Sequence, residues 1–234
     1  MEKRKLVYEG KAKKVYETDD PDLFIQEFKD DATAFDATKR GTIIGKGVVN
    51  NRISAVLFRL LESEKVPTHF VKSINDRDML IKKVKIVPVE VTIRNIVAGG
   101  MSKLLGMEEG IELKEPVLEY HYKNDSLHDP LFNEYHITAL GIATRKEMSE
   151  IAKYSFKVND VLKKYFAGKG LILVDFKLEF GRSHGKIILA DEISPDTCRL
   201  WDSVTKEKLD KDRFRRDLGN VEEAYQEVLR RIIG

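Results

Sequence analysis

Nine residues, Leu173-Val-Asp-Phe-Lys-Leu-Glu-Phe-Gly181, constrain this chain more than any other stretch. Read as a strand, they place Asp175, Lys177 and Glu179 on one face and Val174, Phe176, Leu178 and Phe180 on the other. The apolar run Leu171–Val174 leads straight into them. Two readings are open. One is an amphipathic antiparallel strand with a solvated ladder of ion pairs. The other is a strand covered on both faces, where each charge must be paired or bound to a ligand, because bare burial is costly. The next apolar stretch, Lys186–Ile193, reads as the antiparallel partner, joined by Gly181-Arg-Ser-His-Gly185, with Asp191 late in it. Glu179 and Asp191 on adjacent strands suit Mg²⁺, which takes a few hard oxygens and leaves its other positions to water or phosphate. The alternative for Asp191 is a turn or cap residue.

Composition narrows the class. The 234 residues carry 41 Lys and Arg against 39 Asp and Glu, a net charge of +2, which excludes a strongly basic nucleic-acid binder and an acidic solvating chain. Hydrophobic residues make up 42%, too many for a disordered polymer and enough for a sizeable core. The single cysteine, Cys198, excludes an intramolecular disulfide and a cysteine zinc site, and it has no base beside it in the sequence. Apolar runs reach only four or five residues, and no apolar signal region opens the chain. The expectation is a soluble cytoplasmic protein without nucleic-acid or membrane partners.

The remaining segments read as α+β. Leu6–Tyr8 and Lys14–Tyr16 flank a hairpin with Gly10 in its turn, and Leu23–Phe28 is a third strand. A helix covers about 47–65, with Ile53, Val56, Leu57, Leu60 and Leu61 at helical spacing. Ile81–Val97 is β-branched and broken at Pro88, with Val89, Val91 and Ile93 on one face and Glu90, Thr92 and Arg94 on the other. Residues 115–138 read as a long loop. Thr144 with Glu147 is a capping box opening a helix that stops near Gly168, and a last amphipathic helix carries Val221, Tyr225, Val228 and Ile232. The order suggests two lobes dividing at 80–88, with a cleft between them.

Gly10-Lys-Ala-Lys13 is neither a P-loop nor a dinucleotide fingerprint, yet a glycine-bearing hairpin can cover phosphates with backbone N–H groups, and Lys13 adds a cation. The plainer reading is a solvated turn. Arg94, just before Ala98-Gly-Gly100, suits an anion; its structural alternative is a pair with Glu90. Arg199 follows Ser194-Pro-Asp-Thr-Cys198 and offers a second anion anchor, or is a surface arginine. No histidine pair has helical metal-ligand spacing, and there is no Gly-x-Ser-x-Gly elbow.

Together, Gly10–Lys13, Val48-Val-Asn-Asn51, Val87-Pro-Val-Glu-Val-Thr-Ile-Arg94, Lys123-Asn-Asp125 with His128-Asp-Pro130, Leu173–Gly181, and Asp191-Glu-Ile-Ser-Pro-Asp196 with Arg199-Leu-Trp-Asp202 resemble, in order and along nearly the whole chain, the SAICAR synthetase family of purine biosynthesis. The resemblance implies a kinase-like two-lobed α+β fold, with an antiparallel N-terminal lobe (1–84) covering ATP and a larger C-terminal lobe (85–234). It implies a ligase that uses ATP and Mg²⁺ to join carboxyaminoimidazole ribotide (CAIR) to L-aspartate, commonly as a homodimer.

Carried over to this sequence, Gly10, Lys11, Ala12 and Lys13 contact the nucleotide phosphates. Val15 adds to the nucleotide site, and Ile86, within Ile81–Val87, lines the adenine. Lys123 and Asp129 stand at the cleft mouth. Glu179 and Asp191 hold Mg²⁺. Arg94 and Arg199 bind the CAIR phosphate, and Asp175 and Lys177 sit near its carboxylate and imidazole. Lys13, Asp175 and Lys177 are the catalytic candidates. The aspartate pocket is placed near Asp196 and the 125–136 segment. One departure stands out: the family usually reads Ala-Gly-Ser where this chain has Ala98-Gly99-Gly100, leaving the Gly100 N–H or Ser102 to take the serine's place. A kinase-like small-molecule phosphotransferase is the alternative, but the chain has Asp175-Phe-Lys177 rather than Asp-Phe-Gly, and no His-Arg-Asp. A non-catalytic nucleotide- or RNA-binding module is a further alternative, disfavoured by the near-neutral charge and the lack of an aromatic RNA-binding signature.

Overall fold

A computed structural model describes residues 1–34 and 38–234. The first five-stranded antiparallel sheet is built from β1 (Leu6–Glu9), β2 (Lys13–Glu17), β3 (Leu23–Phe28), β6 (Phe70–Ser73) and β7 (Asp78–Lys82), in the order β1-β2-β3-β7-β6. A six-stranded sheet follows: β8 (Lys85–Ile96), β9 (Glu112–Tyr122), β10 (Leu131–Phe132), β11 (Leu171–Ser183), β12 (Lys186–Ala190) and β13 (Cys198–Asp202). Its order is β10-β9-β8-β11, with the far edge of β11 shared by β13 along its first half and β12 along its second. A small ribbon pairs β4 (Asp31–Ala34) with β5 (Lys39–Thr42).

The break between the sheets falls at Lys83–Val84, not at Pro88. β8 runs through the proline because Pro88 lies where the ladder to β11 is irregular and before the pairing to β9 begins, so no N–H is needed there. The expected long loop over 115–138 is also corrected. It contains most of β9, a 3-10 turn at Asp125–Leu127, β10, and a short helix, α3 (Glu134–Ala139). The alternation in β9 is hard to read because Glu119 and His121, on its polar side, face protein partners rather than water.

Helix α4 (Arg145–Ala167) starts at the expected capping box: Thr144 accepts from the Glu147 N–H, and the Glu147 carboxylate accepts from the Thr144 N–H at 2.8 Å. Its buried stripe, Met148, Ile151, Ser155, Val158, Leu162 and Phe166, lies over the apolar side of β8 and β11. Helix α1 (Lys46–Ser63) packs between the first sheet and α6 (Val221–Ile233). Its N-cap residue, Gly45, has no side chain to offer. Asp30, from the segment after β3, does the capping, accepting from the N–H groups of Gly47 (2.8 Å) and Gly45 (3.3 Å) while Arg77 grips both its oxygens at 2.8 Å. The Arg77 hydrogen bond outweighs burial and holds the Asp30 carboxyl down at about 2. One continuous apolar core joins Phe28 and Ile81 of the first sheet to Val91, Phe176 and Phe180 of the second.

β11 departs from simple alternation. Leu171 and Leu173 enter the main core, and so do Phe176, Leu178 and Phe180, so the core-facing parity switches from odd to even. The pairing with β13 shifts between Leu173 and Asp175, a bulge that leaves Val174 on the same side as Asp175. Val174 therefore does not share a face with Phe176, as plain alternation predicts. It packs with Ile96, Ala98 and Trp201 in a separate small cluster.

Candidate active site

The register of four neighbouring strands sets a grid of side chains on the face of the second sheet opposite α4. Across β13, β11, β8 and β9 the first row is Arg199, Asp175, Arg94 and Val117. The next rows are Lys177, Thr92 and Glu119, then Glu179, Glu90 and His121. Asp175 is 3% exposed and lies between two guanidinium groups: Arg94 Nη1 donates to Oδ2 at 2.8 Å, and Arg199 Nη1 reaches both oxygens at 3.0 and 2.8 Å. The strand is thus covered at this end, and its charge is paired as burial demands.

Each arginine is held on its other side. Arg94 Nε donates to Glu119 Oε2 at 2.8 Å, and Arg199 Nε to Asp212 Oδ2 at 2.9 Å. The outer nitrogens converge on the Ala98–Gly100 turn: a Cβ on Gly99 would lie 2.5 Å from Arg199 Nη2, and one on Gly100 would meet only Arg94 Nη2, at 3.7 Å. Gly99, at φ 55°, is therefore closed to larger residues, whereas position 100 has room for one. Burial pushes the Glu119 carboxyl up, but the hydrogen bond from His121 and the charge of Arg94 prevail and hold it below the usual range.

Lys177, half exposed, pairs with Glu90 at 2.5 Å. Glu90 is therefore the partner of Lys177 rather than of Arg94. Two rows from Asp175, Glu179 lies opposite Ala190, and Asp191 follows directly, with φ 63°. Asp191 is thus a turn residue just past β12, and it still stands beside Glu179. Its backbone is fixed from the first sheet, where Gln26 Nε2 donates to its carbonyl at 3.4 Å.

Lysines neutralise both acids. Lys13 of β2 pairs with Asp191 and, at 2.9 Å, with Glu192; Lys123 pairs with Glu179. Burial and the nearby Asp191 raise the Glu179 carboxyl. Burial acts the same way on Asp191, but Lys13 and Lys123 overcome it and lower that carboxyl. Two half-buried acids that repel one another and are each clamped by a lysine form a donor set suited to a hard divalent cation with phosphate oxygens completing its shell. Among the described residues no cluster of three or more His, Cys, Asp or Glu is placed to bind a metal by protein groups alone.

The hairpin reaches this cluster from above. Gly10 N–H donates to the Lys13 carbonyl at 2.8 Å, closing the turn, and Lys29 N–H donates to the Ala12 carbonyl at 2.8 Å. Lys11 bridges the gap to Asp125 at 2.8 Å. Val15 and Ile86 are both half-buried, Val15 opposite Gln26 of β3 and Ile86 opposite Gly181 of β11. The Asp129 carboxylate accepts from the Asn124 N–H at 2.7 Å. Ser102 donates its hydroxyl to the Met107 carbonyl at 2.7 Å. Asp196 is engaged within the protein: Lys46 donates to it at 2.7 Å and Tyr225 at 2.6 Å, with Lys211 at 3.9 Å. Burial pushes the Cys198 thiol up, in keeping with an inert core residue.

Sequence reasoning missed Glu119, His121, Glu192 and Lys46. The first two carry a signal only once β9 is recognised as a strand beside β8. The last two are reached through contacts distant in sequence.

The fold and this site define an α+β enzyme in which two antiparallel sheets meet at paired carboxylates, lysines and arginines suited to polyanions. Among the described residues no helix is long and apolar enough to cross a membrane. Residues 6–232 match the family model described as SAICAR synthetase. The phosphoribosylaminoimidazole-succinocarboxamide synthase of Thermoanaerobacter sp. (strain X514) is 62% identical over 234 residues, the full length of both chains. The crystal structure of the synthase from Ehrlichia chaffeensis superposes with a TM-score of 0.96 at 46% identity, covering 97% of this chain and 98% of that one. A SAICAR synthetase solved in complex with ADP gives a TM-score of 0.94 at 53% identity, covering 97% of each chain. The chain belongs to the SAICAR synthetase family, and it is a ligase.

Proposed function

We infer that this chain joins the carboxylate of CAIR to the amine of L-aspartate in purine biosynthesis, releasing ADP and phosphate. The observation that carries the reading is the row Arg199–Asp175–Arg94, one half-buried and one buried guanidinium group held by a single buried carboxylate, in line with Lys177 and the lysine-clamped pair Glu179 and Asp191. A carboxylate is a poor electrophile. Transfer of the γ-phosphoryl group to one of its oxygens makes an acyl phosphate, which the amine attacks as the C–O bond to phosphate breaks. Such chemistry needs positioning and charge neutralisation rather than a protein nucleophile.

In this assignment Gly10, Lys11, Ala12 and Lys13 cover the ATP phosphates, Val15 and Ile86 contact the base, and Lys123 stands at the phosphate end. Glu179 and Asp191 hold Mg²⁺, which supplies neutralisation of phosphate charge. Arg94, Arg199 and the Gly100 N–H take the ribotide phosphate. Lys177 steadies the attacked carboxylate, and Asp175 keeps the two arginines apart and aimed. Asp129 and the segment after Lys123 border the opening, and the aspartate substrate is assigned to the region between them and the loop of Asp196. Residues 1–84 form the nucleotide-covering lobe and 85–234 the substrate-binding lobe, in a cytoplasmic homodimer.

The test is ADP release measured with CAIR and aspartate omitted in turn. Release that requires both supports ligation. Release with CAIR alone, yielding a stable phosphorylated product, would instead mark a phosphotransferase. ¹⁸O placed in the CAIR carboxylate should appear in the released phosphate, and its absence there would overturn the acyl-phosphate route.

A further inference from the structure

Arg199 of β13 is held through two of its three guanidinium nitrogens. Nη1 reaches both oxygens of Asp175 at 3.0 and 2.8 Å, and Nε donates to Asp212 Oδ2 at 2.9 Å. Contacts through one nitrogen leave a guanidinium free to pivot about it. A contact through a second nitrogen, to another element, fixes its plane. The plane so fixed lays Nη2 against the Ala98–Gly100 turn, where a Cβ on Gly99 would come within 2.5 Å of it.

Asp212 opens the short helix α5 (Asp212–Arg215), and contacts other than those of its own carboxylate place its backbone. The buried Asp210 accepts from the Leu200 N–H at 2.8 Å with one oxygen and from the Asp212 N–H at 2.7 Å with the other. The start of α5 is thereby tied to the residue that follows Arg199. Leu209 N–H donates to the Leu200 carbonyl at 2.8 Å, and Lys211 N–H to the Pro195 carbonyl at 3.2 Å. The Asp212 side chain is 1% exposed, and both of its oxygens are engaged: Oδ2 by Arg199, with Arg216 Nη2 at 3.5 Å, and Oδ1 by Arg215 Nη1 at 2.6 Å. Arg215 and Arg216 lie within one helical turn of it; Arg199, 13 residues away, is the partner that belongs to the site.

The first row of the polar grid thus continues into α5 as an alternating series: Glu119, Arg94, Asp175, Arg199, Asp212 and Arg215. In it, each arginine assigned to the ribotide phosphate stands between two carboxylates. We propose that Asp212 is a positioning residue for Arg199, holding that guanidinium in its receiving orientation before the phosphorylated ribotide arrives, so that binding does not have to order the side chain. The proposal rests on the ligase reading for the identity of the ligand but not for the state of the arginine.

Three measurements test it. The first uses the wild-type chain without substrate: the Arg199 Nε–H should give a ¹⁵N–¹H signal whose relaxation is as restricted as that of the backbone, and in Asp212→Asn the same signal should report a mobile side chain. The second is kinetic. Asp212→Asn should raise KM for CAIR about tenfold, the loss expected of a charge-assisted hydrogen bond, with kcat within a factor of about two and KM for ATP unchanged. The third is a double-mutant cycle. Arg199→Lys keeps the charge but lacks the Nε–H that Asp212 accepts, so adding Asp212→Asn to it should change KM for CAIR by no more than about twofold further. Additive effects in the cycle, the result of a general loosening of α5, overturn the proposal. So does an Asp212→Asn variant in which KM for ATP shifts as much as KM for CAIR. Should that variant fail to fold, the wild-type signal decides: a restricted Nε–H supports the proposal and a mobile one overturns it. Should CAIR prove not to be a substrate, the relaxation measurements still stand.

Discussion

Asp175 and Lys177 are two residues apart on one strand and have opposite burdens. Asp175 is buried between arginines; Lys177 is half exposed and pairs with Glu90. Their substitution should therefore separate structure from chemistry. Lys177→Ala is expected to cut kcat by about 10²–10³, the scale of a lost charge-stabilising contact, while the melting temperature holds within about a degree. A variant with near-wild-type turnover returns the strand to a solvated ion-pair ladder. Asp175→Asn removes the charge that spaces Arg94 and Arg199 and should lower both stability and activity, by about 3–5 kcal/mol for the first, as breaking a buried pair does; differential scanning calorimetry together with initial rates checks it. The residues themselves were legible because period-two spacing put three charges on one face. What no spacing revealed was the partner of each. Arg94 ignores Glu90 and reaches Glu119, because β9 rather than its own strand supplies the nearer carboxylate.

At the level of elements, α1 shows how local preference yields to a neighbour. Alanine is a better helix former than glycine by about 1 kcal/mol. Yet a Cβ on Gly47 would lie 2.5 Å from the Phe28 carbonyl oxygen and 2.6 Å from Arg77 Nη1. Gly47→Ala should accordingly destabilise the protein by about 1–3 kcal/mol in urea unfolding, the usual cost of overpacking. Asp30 makes the same junction pH-sensitive. Its folded-state carboxyl, at about 2, lies below its ordinary 3.8, so its stabilising contribution is complete above about pH 5 and is lost as pH falls through 3.8 toward 2. Asp30→Ala should lose about 1–2 kcal/mol at pH 7, and the gap to wild type should close in acid; a gap constant down to pH 3 would exclude the capping role. The capping box of α4 was readable because its two partners lie three residues apart. The cap of α1 was not, because it comes from 15 residues upstream in the sequence, beyond any local motif.

Over the whole molecule, shared apolar packing joins the two sheets, and a buried polar knot ties two helices to the segment after β12. Lys46 opens α1, Asp196 follows β12, and Tyr225 lies in α6; all three side chains are essentially inaccessible. Burial pushes the Asp196 carboxyl up, but Lys211 and Lys46 outweigh it and keep it ionised. Lys46→Met leaves that charge with too few partners and should cost about 3–5 kcal/mol, whereas Tyr225→Phe removes one hydrogen bond and should cost about 1 kcal/mol; chemical denaturation of both variants ranks them. The α+β order, the two sheets and the main helices were legible because their hydrophobic periods are strong. The knot was not, since nothing in a linear pattern says that a lysine at a helix start will be sealed inside. The extra residue at Val174 carries a lesson for anyone editing the gene. It works like an inserted letter after which the sentence still parses: Leu171 and Leu173 keep one frame, Phe176 onward another. Removing Val174 alone leaves both frames facing the right way, whereas removing Lys177 rotates every later side chain of the strand half a turn. Past Val174, length changes, far more than spelling changes, are what this segment is unable to absorb.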